Sequence, residues 1–282
     1  HPPGTPLFIF FGRIWIMVTG IIAKILPVSR DNGWHMNILC SFLTVGTAVL
    51  AYKIMALILR RIAGGIDTRR NLFLAFGTAL MVAFFYTVWW NALETEIYSV
   101  ATFCFLLINY IVLLWSEGLR AGKPNHRLLI LAFYLIFLLT SIQLMPFLIF
   151  IPLYVFVFAV ERRYLKDRLF VLFGVFQAVL FAAMFIIPAS APVLIVLAAP
   201  AVAGLGLIAG QPRRCRNWRF FLAGIFLVLV AVTTELYLPV RARVLDRLYR
   251  NPQARAEYLA GKNIAPRINE NDPAENWTAF DM

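Results

Sequence analysis

Apolar and polar positions do not alternate along this chain. They fall into long apolar blocks divided by short polar loops, at about 5–27, 37–59, 71–90, 97–115, 127–143, 144–160, 168–189, 191–210 and 219–239. Several blocks reach about 20 residues, the length at which a helix crosses a hydrocarbon core of roughly 30 Å. A chain in lipid must satisfy its own backbone hydrogen bonds, and the two-residue alternation of a barrel strand is missing, so the blocks read as helices. The pattern predicts an all-α, polytopic transmembrane bundle of about eight spans.

The loops set its orientation. Arg60, Arg61, Arg69 and Arg70 follow one block, and Arg120, Lys123 and Arg127 another. Arg162, Arg163, Lys166 and Arg168 form a third group, and Arg213, Arg214, Arg216 and Arg219 a fourth. The short loops between hold only Arg30, so the positive-inside rule places the four basic loops in the cytoplasm. Because basic loops bound 127–160 on both sides, that stretch must go out and return. Pro146, which lacks a backbone donor, favours a break at "SIQLMP". The first block, 5–27, then has both ends outside and carries Arg13 and Lys24, which fits an outer interfacial helix with Pro6 at its start. Three regions result: 1–36, an outer-surface helix and loop; 37–239, the transmembrane bundle; and 240–282, an extracytoplasmic tail that begins an outer segment.

Composition narrows the class further. At 61% hydrophobic and 14% charged, the 282 residues are too apolar for a soluble domain. The net charge of +12 sits in the loops, so it marks topology rather than nucleic-acid binding. Cys40, Cys104 and Cys215 lie far apart, and the histidines form no cluster. No metal site and no cofactor is expected. The first residue is His1 and no leader peptide is visible, so the chain reads as lacking its N-terminal part.

On the outer side, Glu94 and Glu96 stand in a very short loop after "TVWW". Carboxylates at a bilayer boundary either hold a tight turn in water or face a functional cavity. Trp89, Trp90 and Tyr98 fit an interfacial belt or a stacking surface for sugar rings. Glu235, near the end of the last span, either pairs with Arg241 or Arg243 or faces a cavity.

Several motifs in order carry a resemblance: "HPPGTPLFIFFGR" from His1, "MNILCS" from Met36 to Ser41, "WWNALETEIYSV", "ELYLPVRA" and "APRINENDP". Together they resemble a bacterial family of multispan protein O-mannosyltransferase-like glycosyltransferases of the GT-C superfamily. In that family the His-Pro-Pro-Gly element is internal and follows an acidic motif of the Asp-x-Gly-Glu kind. The link between "PVRA" and "INENDP" is longer here than the family's. The resemblance implies a GT-C-type bundle that moves a sugar, mannose being one candidate, from a polyprenyl-phosphate donor to a protein or other hydroxyl acceptor. The site would face outward from a bacterial inner membrane.

The resemblance places Glu94 and Glu96 at the catalytic site. It assigns substrate contacts to His1, Arg13, Tyr98, Arg241, Asn269, Glu270 and Asp272, with Arg13 or Arg241 facing the donor phosphate. It assigns the catalytic base to an acid upstream of His1, so the 282 residues alone are expected to transfer sugar poorly. Two other classes stay open. A lipid or solute transporter would need charged groups along its path, and the spans hold few, chiefly Lys53 and Glu235. The other is a non-catalytic membrane subunit.

Overall fold

The computed structural model describes residues 6–25, 31–63, 68–94, 97–140, 142, 148–186, 222–229 and 231. It has two compact units, one of Leu7–Arg162 and one of His1–Pro6 with Arg163–Met282. Among the described residues all regular structure is helical and no strand occurs, so the expected all-α class holds.

The first unit contains α1 (Pro6–Ile25), α2 (Asn32–Ile62), α3 (Arg69–Ala83), α4 (Tyr86–Leu93), α5 (Ile97–Arg120), α6 (His126–Thr140) and α7 (Phe150–Val160). Polar residues between the apolar blocks start these helices. The Asp31 side chain accepts from Trp34 N, Thr68 Oγ1 from Asn71 N and Asn125 Oδ1 from Arg127 N, satisfying first-turn donors. α5 stops at a glycine. Gly122 has φ +71°, Gly122 N donates to Leu119 O, and Lys123 N donates to Gly118 O, the pairing of a Schellman end.

The helices pack as α2 on α3, α2 on α5 and α5 on α6. α2 and α5 run the same way: Gly46 meets Phe103, Lys53 Nζ lies 5.6 Å from the Tyr110 ring, and Arg61 pairs with Glu117, a constant offset along both helices. α6 and α7 run oppositely, since Phe133 meets Tyr154 while Phe137 meets Phe150. The expected out-and-back of 127–160 is therefore a helical hairpin. The basic residues of the first loops, from Arg60 to Arg127, gather at one end of the unit, and Asp31 and Glu94 lie at the other. The core centres on α5 and α6, with Ile108, Trp115, Phe133, Ile136 and Phe137 fully buried. In the second unit, α8 (Arg168–Ile186) packs Phe173 against Gly224 of the 222–229 helix, where a Cβ would come within 3.0 Å of the ring.

Three boundaries differ from those expected. α2 begins at Asn32 rather than 37. Its 31 residues span roughly 46 Å, more than the hydrocarbon core is thick. The block 71–90 is not one straight helix: α3 and α4 meet at a bend of 58°. No proline or glycine makes this break. Phe84 and Phe85 leave helical geometry, Phe85 with ψ 128°, in an aromatic run that favours a helix weakly. α6 and α7 have 15 and 11 residues, about 22 and 16 Å, each less than a full crossing. Among the described residues two helices, α2 and α5, are long and apolar enough to cross a membrane, and the bent α3–α4 pair makes a third if it is one span. The described residues therefore show two or three of the eight expected spans. The block 191–210 and most of 219–239 lie outside them.

Large apolar side chains point outward along these helices: Phe73 is 75% exposed, Met81 77% and Ile151 70%. Hydrocarbon, not water, suits such faces. The chain is a membrane protein.

Candidate functional site at the Asn32 end of helix 2

Glu94 occupies the turn that ends α4. It is the C-cap residue, extended at φ −112° and ψ 152°, and its side chain is exposed. The last four carbonyls of a helix have no partner inside it. Two hydroxyls from neighbouring helices meet two of these. Ser99 Oγ, on the first turn of α5, donates to Asn91 O at 2.7 Å, and Ser41 Oγ on α2 donates to Ala92 O at 3.0 Å. Ala92 and Ser99 are buried while Glu94 and Tyr98 are exposed, so the turn is anchored from below and presents its polar groups outward.

α1 joins the same end of α2. A Cβ on Gly12 would lie 2.8 Å from Met36 Cε, so the absent side chain is what admits the methionine. Trp15 Nε1 donates to His35 O at 2.7 Å, and the Trp15 ring meets Phe42 edge-on at 5.8 Å. Arg13, one residue past Gly12, is exposed. α2 thus carries α1 and the end of α4 within one stretch from His35 to Ser41, which sets Arg13, Glu94 and Tyr98 at one end of the unit.

Below the Glu94 turn lies an apolar groove of about 540 Å³ between α2 and the bent α3–α4 pair. Ser41, Thr44, Val45, Ala48, Val49 and Tyr52 form its α2 wall, the spacing of one helical face. Phe76, Ala79, Leu80 and Ala83 of α3 face them, and Trp89, Ala92 and Leu93 of α4 close the end next to Glu94. The stretch of α2 from Ser41 to Tyr52 gives the groove a length of roughly 16 Å, about half a hydrocarbon core. Around its mouth Phe84 stacks on Trp89 at 5.6 Å and Tyr86 on Trp90 at 6.0 Å, with all four rings exposed.

At the opposite end Arg61 Nε bonds Glu117 Oε1, and Arg61 Nη2 donates to the fully buried Ser116 Oγ at 2.9 Å. This cluster ties the basic ends of α2 and α5.

Of the residues expected at the site, the structure brings Glu94, Tyr98 and Arg13 to one end. Glu96, His1, Arg241, Asn269, Glu270 and Asp272 lie outside the described residues, as does Glu235. Among the described residues no cluster of acids, histidines and cysteines is placed to hold a metal ion. The sequence reading missed Ser99 and the groove. Ser99 stands beside Tyr98 in "ETEIYSV" with nothing to mark its bond, and the groove needs three helices to exist.

A bundle of apolar helices with exposed apolar faces defines a membrane protein, and the polar turn above the apolar groove is its candidate site. Residues 1–167, well over half of the chain, match the family described as the protein O-mannosyl-transferase TMEM260 N-terminal domain, and the chain belongs to that family. No curated protein and no solved structure matches it.

Proposed function

We propose that this protein is a glycosyltransferase of the O-mannosyltransferase kind, which moves a sugar, mannose by the family's description, from a polyprenyl-phosphate donor to a hydroxyl of a protein acceptor. The observation that carries the lipid-linked donor is the groove beside Glu94. Its walls offer a hydrocarbon chain a bed about one leaflet deep, and its end opens at the only carboxylate among the described residues of that turn. A soluble nucleotide sugar has no use for such a surface. The donor phosphate would sit at the boundary, paired with Arg13 and, from the tail, Arg241; an Arg fork suits a phosphate. Glu94 and Glu96 would face the acceptor, with His1, Tyr98, Asn269, Glu270 and Asp272 around the sugar.

The reaction is a single displacement. The acceptor oxygen bonds to the anomeric carbon, the carbon–oxygen bond to phosphate breaks, and polyprenyl phosphate leaves with the bonding pair. The hydroxyl proton passes to a carboxylate base, and the configuration at the anomeric carbon inverts. The reading includes a GT-C-type bundle of about eight spans, the regions 1–36, 37–239 and 240–282, and a site on the extracytoplasmic side of a bacterial inner membrane. The charge asymmetry of the loops supports that orientation.

The test supplies proteoliposomes containing the protein with radiolabelled polyprenyl-phosphate mannose or with a nucleotide-linked mannose, together with a serine- and threonine-containing peptide. Label on the peptide from the lipid donor alone is expected, at a rate that rises when the acidic segment the resemblance places before His1 is supplied. Label from the nucleotide sugar, or donor flux across the bilayer with no covalent product, overturns the reading.

A further inference from the structure

Five threonine hydroxyls among the described residues share one pattern. Thr19, Thr47, Thr78, Thr102 and Thr140 each donate to the carbonyl four residues back in their own helix. That bond is local and holds nothing else in place. Ser99, and Ser41 besides its own four-back bond, reach another helix, and both reach the same one. From α2 and from α5 they meet adjacent carbonyls, Ala92 O and Asn91 O, in the last turn of α4.

α4 needs such anchors. It has eight residues, too few to be stable alone, and it is joined to α3 through a 58° bend. Its N-cap makes no side-chain hydrogen bond. At its other end the chain turns extended at Glu94, so no glycine-type cap takes up the final carbonyls. Ser99 is 4% exposed and its hydroxyl bonds at 2.7 Å, which fixes the α5 side. Ser41 shares its single proton between Ala92 O and its own Asn37 O, each at 3.0 Å, making it the weaker and adjustable contact.

We infer that Ser41 and Ser99 are positioning residues: they set the height and orientation of the Glu94 turn above the groove. The inference rests on the proposed transferase reading for its catalytic consequence, though not for its geometry. It also gives a physical reason for the serines that close "MNILCS" and follow "ETEIY", since both hold the segment that bears the carboxylates.

The experiment uses the full chain in proteoliposomes with a spin label on Leu93→Cys. Ser99→Ala and, separately, Ser41→Ala are expected to increase label mobility, Ser99→Ala the more. Ser99→Thr retains the hydroxyl and restores the parent spectrum. Thr102→Ala, one turn along α5 and bonded within its own helix, leaves the spectrum unchanged. In label-free protein given polyprenyl-phosphate mannose and peptide, Ser99→Ala lowers kcat about tenfold or more, an offset of a fraction of an ångström being enough, while KM for the donor moves little. Should Ser99→Ala fail to fold, Ser41→Ala on the exposed edge of α2 carries the same test. Unchanged mobility in the alanine variants overturns the inference. So does raised mobility with kcat intact, which makes the serines purely structural. Absence of transfer by the parent protein even with that upstream acidic segment supplied sinks the transferase reading, and the label still decides whether the serines hold the turn.

Discussion

Gly46 sits where α2 packs against Phe103 of α5, and replacing it tests whether that close packing sets the site. A Cβ at this position would lie 2.7 Å from Phe103 Cε2 and 3.0 Å from Cδ2, where ordinary contact begins at 3.4 Å. The ring, or the helix beneath it, must retreat by about 0.7 Å. Overpacking of this kind costs about 1–3 kcal/mol. Alanine recovers about 1 kcal/mol of helix propensity over glycine, so Gly46→Ala should destabilise by roughly 1 kcal/mol net. The displacement matters because Gly46 lies five residues from Ser41 and Phe103 four from Ser99. Spreading α2 from α5 therefore stretches bonds now at 3.0 and 2.7 Å. The assay is an unfolding titration in mixed micelles on Gly46→Ala, Phe103→Leu and the double variant. The smaller leucine should relieve the clash, giving a favourable coupling of about 1 kcal/mol. Effects that add within about 0.5 kcal/mol, or a stabilised Gly46→Ala, would refute the claim that this glycine is what admits the ring.

Three other predictions follow from the two ends of the bundle. Glu94→Gln should lower kcat/KM for transfer by about 10- to 150-fold, the value of one charged hydrogen bond of roughly 1.5–3 kcal/mol, and unchanged kinetics would remove Glu94 from the site. Arg61→Gln should destabilise the protein by about 1–2 kcal/mol, between exposed and buried ion pairs, since Arg61 is 18% and Glu117 35% exposed and Ser116 also loses its donor; a shift below about 0.5 kcal/mol in the same titration counts against it. Single cysteines at Arg69 and at Glu94 should react with an impermeant reagent from opposite faces of a sealed vesicle. Reaction from one face makes the bent α3–α4 pair a re-entrant loop instead of a span.

Helical class and approximate element positions were legible in the sequence because both depend on local quantities. A run of about 20 apolar residues has one way to satisfy its backbone in lipid, and Asp31, Thr68 and Asn125 announce the helix starts beside them. The grouping of arginines in alternate loops likewise anticipated which helix ends lie together, since each crossing reverses direction. Glu94 was legible as an acid in a very short loop, open between a turn in water and a functional cavity. The break at Phe84 and Phe85 was not, because no proline or glycine marks it. A run of aromatic side chains bends there under the packing of α3 and α4 on α2. Nor was the groove: Ala48, Ala79, Ala83 and Ala92 are unremarkable small residues on three segments, and they make a hollow only when those segments face one another. Ser99 had two ways to spend its proton, on its own helix like Thr102 or on a neighbour, and local sequence cannot choose between them. The choice fell to the tertiary structure, which brought the unpaired end of α4 within 2.7 Å.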